Sequence, residues 1–239
     1  MKEQRFFYHP TPESGERPAE EAGHALRVLR LQMGDEIWLM DGCGTFYRAV
    51  ITEAGGHHCR YRIESREPQQ PEWTGTIHLA VAPTKNMDRM EWLAEKATEV
   101  GMDRLSLLDC RFSERRVVKT DRLDKILVSA MKQSRKAWKP VLDEMTPFKR
   151  FIQRKDLPEQ RFIAHCHTDA GGGPAPFLLD ILQPQMPALV LIGPEGDFSI
   201  EEVREAEAVG FRSISLGTSR LRTETAALVA VHMMRLANR

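Results

Sequence analysis

Cysteine is scarce in this 239-residue chain: there are four, Cys43, Cys59, Cys110 and Cys166, and no two are spaced as CxxC. That excludes a disulfide framework and a zinc ribbon, and it fits a reducing, cytoplasmic setting. No run of about 18 apolar residues occurs. The N-terminal MKEQRFFYHP has no apolar segment behind its basic start, so neither a membrane span nor an export signal is expected. Net charge is absent too, with 34 basic and 34 acidic residues, which on its face argues against a polyanionic partner. The charges are unevenly placed, however. Met1 to Glu72 holds 9 basic and 12 acidic residues, whereas Arg111 to Lys155 holds 14 basic and 5 acidic. That basic window either attracts phosphates or forms the solvated face of a lysine-rich helix.

Other signals are missing as well. No Gly-Lys-Ser/Thr follows a glycine loop and no GxGxxG is present, which excludes the usual nucleotide-binding fingerprints. His57-His58 and His165-Cys166-His167 have no second cluster to complete a site, so no metal is expected. No internal repeat is visible.

What is there falls into two parts. The first reads as short strands: Arg5 to Tyr8, Asp35 to Met40, Thr45 to Thr52 and Cys59 to Glu64, with Asp41-Gly42-Cys43-Gly44 as a hairpin turn. These suggest a small β-barrel, with a short helix over Glu21 to Arg30 on its side. Arg66 to Trp73, rich in Pro and Gln, reads as the boundary, giving domains at 1–70 and 71–239. Strands then alternate with helices, which predicts an α/β domain with a mostly parallel sheet covered on both faces. Thr76 to Ala82, Arg104 to Leu108 and Arg161 to His165 are its first strands. Helices are expected after Asp88, where Asp88 and Glu91 have capping-box spacing, and over Asp121 to Ala137. Gly101 ends the first of them.

Two glycine-bearing turns carry the functional signal. An apolar strand, Ala188 to Ile192, runs into Gly193-Pro194-Glu195-Gly196 and a helix opened by Ser199 and Glu202 at capping-box spacing. A second strand, Ile214 to Gly217, leads through Thr218 to Arg222 into an apolar helix with Thr223 as its N-cap. Each alone is compatible with an ordinary βα turn. Because parallel sheets bind ligands at the carboxyl ends of their strands, the pair predicts one shared pocket.

GPEGDFS with its Glu202, and LG..RLRTETA (Leu216 to Ala226), resemble motifs of the small-subunit ribosomal RNA uridine-N3 methyltransferases of the SPOUT class. KATEVG (Lys96 to Gly101) and AMKQSRKAWKP (Ala130 to Pro140) strengthen the likeness. So does HALRVLRLQMGDEIWLMDG (His24 to Gly42), which is similar to that family's PUA-like barrel. The chain departs from the family where a second glycine is usual and Asp197 stands instead. The resemblance implies a trefoil-knotted C-terminal domain, a homodimer formed through the knot region, S-adenosylmethionine as cofactor, and 16S ribosomal RNA in the small subunit as substrate, the family target being uracil 1498. It places the cofactor loops at Ala164 to Cys166, Ile192 to Gly196 and Leu216 to Ala226. The contacts expected there are Ala164, His165, Ile192, Gly193, Pro194, Glu195, Gly196, Leu216, Gly217, Leu221, Arg222, Thr225 and Ala226.

Uracil N3 carries a proton near neutral pH, so methylating it calls for a proton acceptor and for donors facing the carbonyl oxygens. Arg222 is the expected cation, with a structural ion pair to Glu224 or Glu195 as the competing role. Glu224 is the expected base, although an acid in a first helical turn also stabilises the dipole without chemistry. RNA contacts are expected from Lys85, Arg89, Arg111, Arg115, Gln133 and Arg135, and from Arg5, Arg27 and Arg30 of the barrel, mostly to phosphate. The target base should be flipped out of any helix. Two rival readings are a SPOUT enzyme acting on tRNA, at ribose 2′-O or guanine N1, and a non-catalytic RNA-binding assembly factor.

Overall fold

The structure is a computed structural model that describes residues 5–16, 31–55, 58–167 and 175–238. The expected helix over Glu21 to Arg30 and the run Gly171 to Gly173 lie outside these residues. The chain divides into two compact units, the first reaching Glu72 and including Met131–Lys139, the second formed by Trp73–Ala130 and Pro140–Arg239.

In the first unit, β1 (Phe6–Tyr8), β2 (Glu36–Met40), β3 (Thr45–Gly55) and β4 (His58–Pro68) form one sheet in that order. The β2–β3 turn is built by Asp41, whose Oδ1 accepts from the backbone N–H of Cys43 at 2.7 Å and of Thr45 at 3.0 Å. Gly42 and Gly44 take φ of 74° and 106° there, which a side chain would oppose. Alternate residues Ile37, Leu39, Ala49, Ile51, Cys59 and Tyr61 point into one apolar cluster. The strands β3 and β4 are longer than their composition suggests: Glu67 and Pro68, read from the sequence as boundary, still pair with Phe46 and Thr45. A strand ends where its partner ends, and Pro68 is tolerated at the terminus because no further ladder donor is required of it.

The second unit carries a seven-stranded, wholly parallel sheet. Its strands are β5 (Ile77–Val81), β6 (Arg104–Asp109), β7 (Val141–Leu142), β8 (Thr146–Pro147), β9 (Gln160–Ala164), β10 (Ala188–Ile192) and β11 (Arg212–Ile214). Their order is β11-β9-β10-β5-β6-β7, with β8 beside the end of β6. β5 and β10 are buried at every position, as strands in a sheet covered on both faces should be; β10 is an unbroken apolar run, and β5 is apolar except for His78. Helices α1 (Met87–Val100) and α6 (Thr223–Ala237) cover one face together with the inner side of α2 (Thr120–Ser134). Helices α3 (Phe148–Ile152) and α5 (Ile200–Ala208) cover the other. None of the described helices is long and apolar enough to cross a membrane.

The end of β11 brings two distant segments together. Ile214 pairs with Ala164 of β9, and the next residue, Ser215, bridges Phe177, just before the short helix α4 (Leu178–Ile181) in the connection from β9 to β10. The C-terminal segment thus passes between the two ends of one connection before α6 returns to pack on α1 and β5.

Four element ends differ from expectation. The cap of α1 is Asn86, whose side chain accepts from Asp88 N–H; the Asp88–Glu91 capping box does not form, and Glu91 instead pairs with Arg122. Helix α2 stops at Ser134 because Arg135 adopts φ 55°. The last strand closes at Ile214 rather than Gly217, and Arg222, not Thr223, is the N-cap of α6.

Candidate active site

The carboxyl ends of β9, β10 and β11 open onto a cavity of about 640 Å³, a size suited to a folded nucleoside ligand. Its walls come from Ala164–Cys166, Ile192–Asp197, Ile214–Gly217 and Ser219–Thr223, with Ala226 and, from α1, Arg89.

The β10 wall is shaped by a turn in which Asp197 N–H donates to Pro194 O at 2.9 Å. Asp197 sits at φ 67°, the left-handed region where a β-carbon is strained by roughly 1–2 kcal/mol. That explains why a glycine suits the position and how aspartate replaces it. Its Oδ1 accepts from Phe198 N–H and its Oδ2 from Cys166 N–H, each at 2.8 Å, so the carboxylate ties the β10 turn to the end of β9. A β-carbon on Gly193 would lie 3.0 Å from Phe198 N and 3.1 Å from Asp197 C, so any side chain there displaces the turn itself. Ser199 and Glu202 form both hydrogen bonds of the capping box expected of them. Gly217 takes φ 123° with nothing within 4 Å of where a β-carbon would stand, leaving its backbone open to a ligand.

His165 is held by a chain of hydrogen bonds. Ser213 Oγ donates its only proton to Glu207 Oε1 at 2.6 Å and can therefore only accept from His165 Nε2, 2.8 Å away. His165 Nδ1 accepts from His167 N–H at 3.2 Å. Both ring nitrogens are committed in the neutral form, and burial pushes the pKa below the ordinary histidine value. Burial and the neighbouring Asp197 raise that of Cys166.

Three arginines, Arg89, Arg220 and Arg222, and two carboxylates, Glu195 and Asp197, reach the cavity. Glu195 Oε1 accepts from Lys85 N–H at 2.9 Å. Glu224 does not line the cavity. It is buried on α6, 3.6 Å from Arg89 Nε, with its Oε2 accepting no hydrogen bond among the described residues.

Of the expected cofactor contacts, Ala164, His165, Ile192, Gly193, Pro194, Glu195, Gly196, Leu216, Gly217, Leu221, Arg222 and Ala226 all lie on the wall, and Thr225 does not. The expected RNA contacts are more scattered. Arg89 belongs to the cavity. Arg111 pairs with Glu201, Lys85 with Glu114, and Arg115 donates to the carbonyls of Thr84 and Lys85. Arg5, Gln133 and Arg135 are exposed on the first unit, where the Arg135 guanidinium lies 5.3 Å from the Phe6 ring centre. Arg27 and Arg30 fall outside the described residues. Arg89, Ile214 and Ser215 are wall residues that their local sequence does not mark: Arg89 arrives from α1, and Ile214 and Ser215 reach the cavity because β11 ends at Ile214 rather than Gly217.

Residues 71–235 match the model of the RNA methyltransferase domain family, and residues 18–64 match that of the RNA methyltransferase PUA domain. The chain belongs to the RNA methyltransferase family. This methyltransferase is similar in structure to a probable rRNA-methyltransferase from Porphyromonas gingivalis, with TM-score 0.89 and 43% identity over 97% of this chain and 98% of that one. It is also similar to ribosomal RNA small subunit methyltransferase E of Neisseria gonorrhoeae, solved bound to S-adenosyl methionine, with TM-score 0.86 and 26% identity over 99% and 98% of the two chains. In sequence the methyltransferase is 29% identical to ribosomal RNA small subunit methyltransferase E of Mycobacterium bovis, over 95% of this chain and 88% of that one.

Proposed function

We propose that this chain is an S-adenosylmethionine-dependent methyltransferase that modifies N3 of a uridine in the 16S RNA of the small ribosomal subunit, acting in the cytoplasm as a homodimer. The observation that carries this reading is the convergence of three strand-end loops on one cavity bounded by open backbone and three arginines. The wall suits the cofactor. Backbone groups of Ile192, Gly193, Leu216 and Leu221 would meet adenine and ribose, and arginine side chains suit an amino-acid carboxylate. When bound, the sulfonium supplies an already activated methyl group, so no metal is needed.

What remains for the protein is to orient the uracil and change its charge. Losing the N3 proton leaves negative charge on O2 and O4, and Arg222, at the N-cap of α6, lies where its charge and the helix terminus both stabilise that anion. Glu224 faces Arg89 and serves the site by holding that guanidinium at the wall. For the proton acceptor we assign Glu195, which lines the cavity with one oxygen outside any hydrogen bond among the described residues, whereas both oxygens of Asp197 accept backbone donors.

The deciding experiment supplies labelled S-adenosylmethionine and small subunits, assembled or stripped of protein, from cells lacking this enzyme, and maps the product by mass spectrometry. A methyl group on uracil N3 is the expected result. Label in tRNA, on ribose or on another base overturns the substrate, and absence of cofactor binding by calorimetry at millimolar concentration overturns the reading as an enzyme.

A further inference from the structure

Beside the cavity, the connection from β6 to α2 holds its polar groups inward and one ring outward. Arg111 N–H donates to Glu202 Oε1 at 2.8 Å, Cys110 N–H to Ser113 Oγ at 3.0 Å, and Arg115 to the carbonyl of Lys85 at 2.6 Å. Arg116 clamps the segment from outside through Asp109 Oδ1 at 2.7 Å and Arg111 O at 3.1 Å. On this pinned loop Phe112 is 48% exposed, although a ring of that size is ordinarily buried. It packs against the cavity rim, since a β-carbon on Gly196 would lie 3.1 Å from Phe112 Cβ, and Arg111 sits 5.6 Å from the ring centre.

An exposed aromatic ring on a rigid loop, flanked by arginines and next to a nucleotide-sized cavity, matches how unstacked bases are held: stacking supplies affinity and the cations track the backbone. We infer that Phe112 is a stacking platform for an RNA nucleobase flanking the uridine in the cavity. The inference rests on the RNA methyltransferase reading and extends it to a subsite outside the cofactor cavity. Arg111, paired with Glu201, braces the ring from one side.

The test uses the full-length protein and a short single-stranded RNA carrying 2-aminopurine, whose fluorescence falls on stacking. The wild type should quench it. Phe112→Trp should quench it as well, and Phe112→Leu, which keeps apolar bulk without a π face, should lose the quenching and bind RNA roughly tenfold more weakly. Because stacking is uncharged, that loss should be the same at low and moderate salt, unlike loss of a phosphate contact. Equal affinity and quenching in Phe112→Leu would overturn the proposal. So would unchanged RNA binding with a fall in sedimentation coefficient, which would make Phe112 a contact between protein copies. Calorimetry with S-adenosylmethionine on the same preparations tests the cofactor reading separately, so a wild type that fails there and still quenches refutes the enzyme and spares the platform.

Discussion

At the scale of single residues, the site is shaped by how each polar atom is used up. Asp197 shows this in a strained position: its two backbone acceptor bonds offset the left-handed φ. Asp197→Asn keeps tolerance of that conformation and one strong acceptor, Asp197→Gly removes the strain together with the acceptors, and Asp197→Ala keeps the strain while losing both. Thermal unfolding should rank them in that order, with the alanine variant about 1–2 kcal/mol below wild type. The chemistry is testable in the same spirit. Arg222→Ala should abolish methylation with the thermal midpoint preserved. Glu195→Gln should lower kcat at least tenfold and remove the acid limb of the pH–rate profile, while Glu224→Gln should act mainly on stability; a reversed pattern would return the base to Glu224.

The same accounting links stability to pH. On the far side of the sheet, His78 Nε2 lies 2.7 Å from Ser106 Oγ, whose proton is donated to Asp143, so His78 is neutral with its proton on Nε2. Burial, aided by Arg104, pushes its pKa down to about 3. The folded value is below the unfolded one, near 6.5, so the unfolded chain binds the proton first as pH drops. The contribution is intact above about pH 6.5 and is lost progressively toward pH 3, reaching roughly 2 kcal/mol by pH 5. Urea denaturation at pH 7.5 and 5.0 should show that loss in the wild type, and His78→Leu should reduce it.

At the scale of elements, α5 is the best-marked helix, because its start signal and its tertiary anchor are the same residue. Glu202 closes the capping box with Ser199 and also accepts from Arg111 N–H, tying the helix to the Phe112 loop. Ser199→Ala should cost about 1 kcal/mol. Glu202→Ala, which orphans two backbone donors, should cost roughly 2–3 kcal/mol, and urea midpoints would separate the two. The box at Ser199 was legible because both partners are local. The one expected at Asp88 was displaced by Asn86, whose side chain accepts from Asp88 N–H and starts the helix two residues earlier. The short strands β7 and β8 escaped notice because a two-residue strand has no period; only pairing with β6 defines them.

At the scale of the whole molecule, the charge asymmetry and the proposed assembly become testable. Arg135→Glu should weaken RNA binding at low salt and lower the salt slope by about one, as filter binding at two ionic strengths would show. For the homodimer, Trp92 is 43% exposed on α1, a large apolar side chain at the protein surface. Sedimentation of the wild type should give a dimer and that of Trp92→Glu a shift toward monomer; a monomeric wild type would refute the assembly.

By itself the sequence determined what depends on neighbours in the chain: buried parallel strands, from short runs of mainly apolar residues; the hairpin at Asp41; the two glycine turns; and the resemblance carried by those turns. Tertiary structure alone decided what depends on residues far apart meeting. It put Arg89 into the wall and turned Glu224 away from it, gave Asp197 its partner at Cys166 N–H, and left the Phe112 ring on the surface. The division has a simple physical origin. Backbone conformation is set largely by local sterics and hydrogen bonding, whereas the direction and partner of a long polar side chain are set by whichever distant donor or acceptor the fold carries within about 3 Å of it.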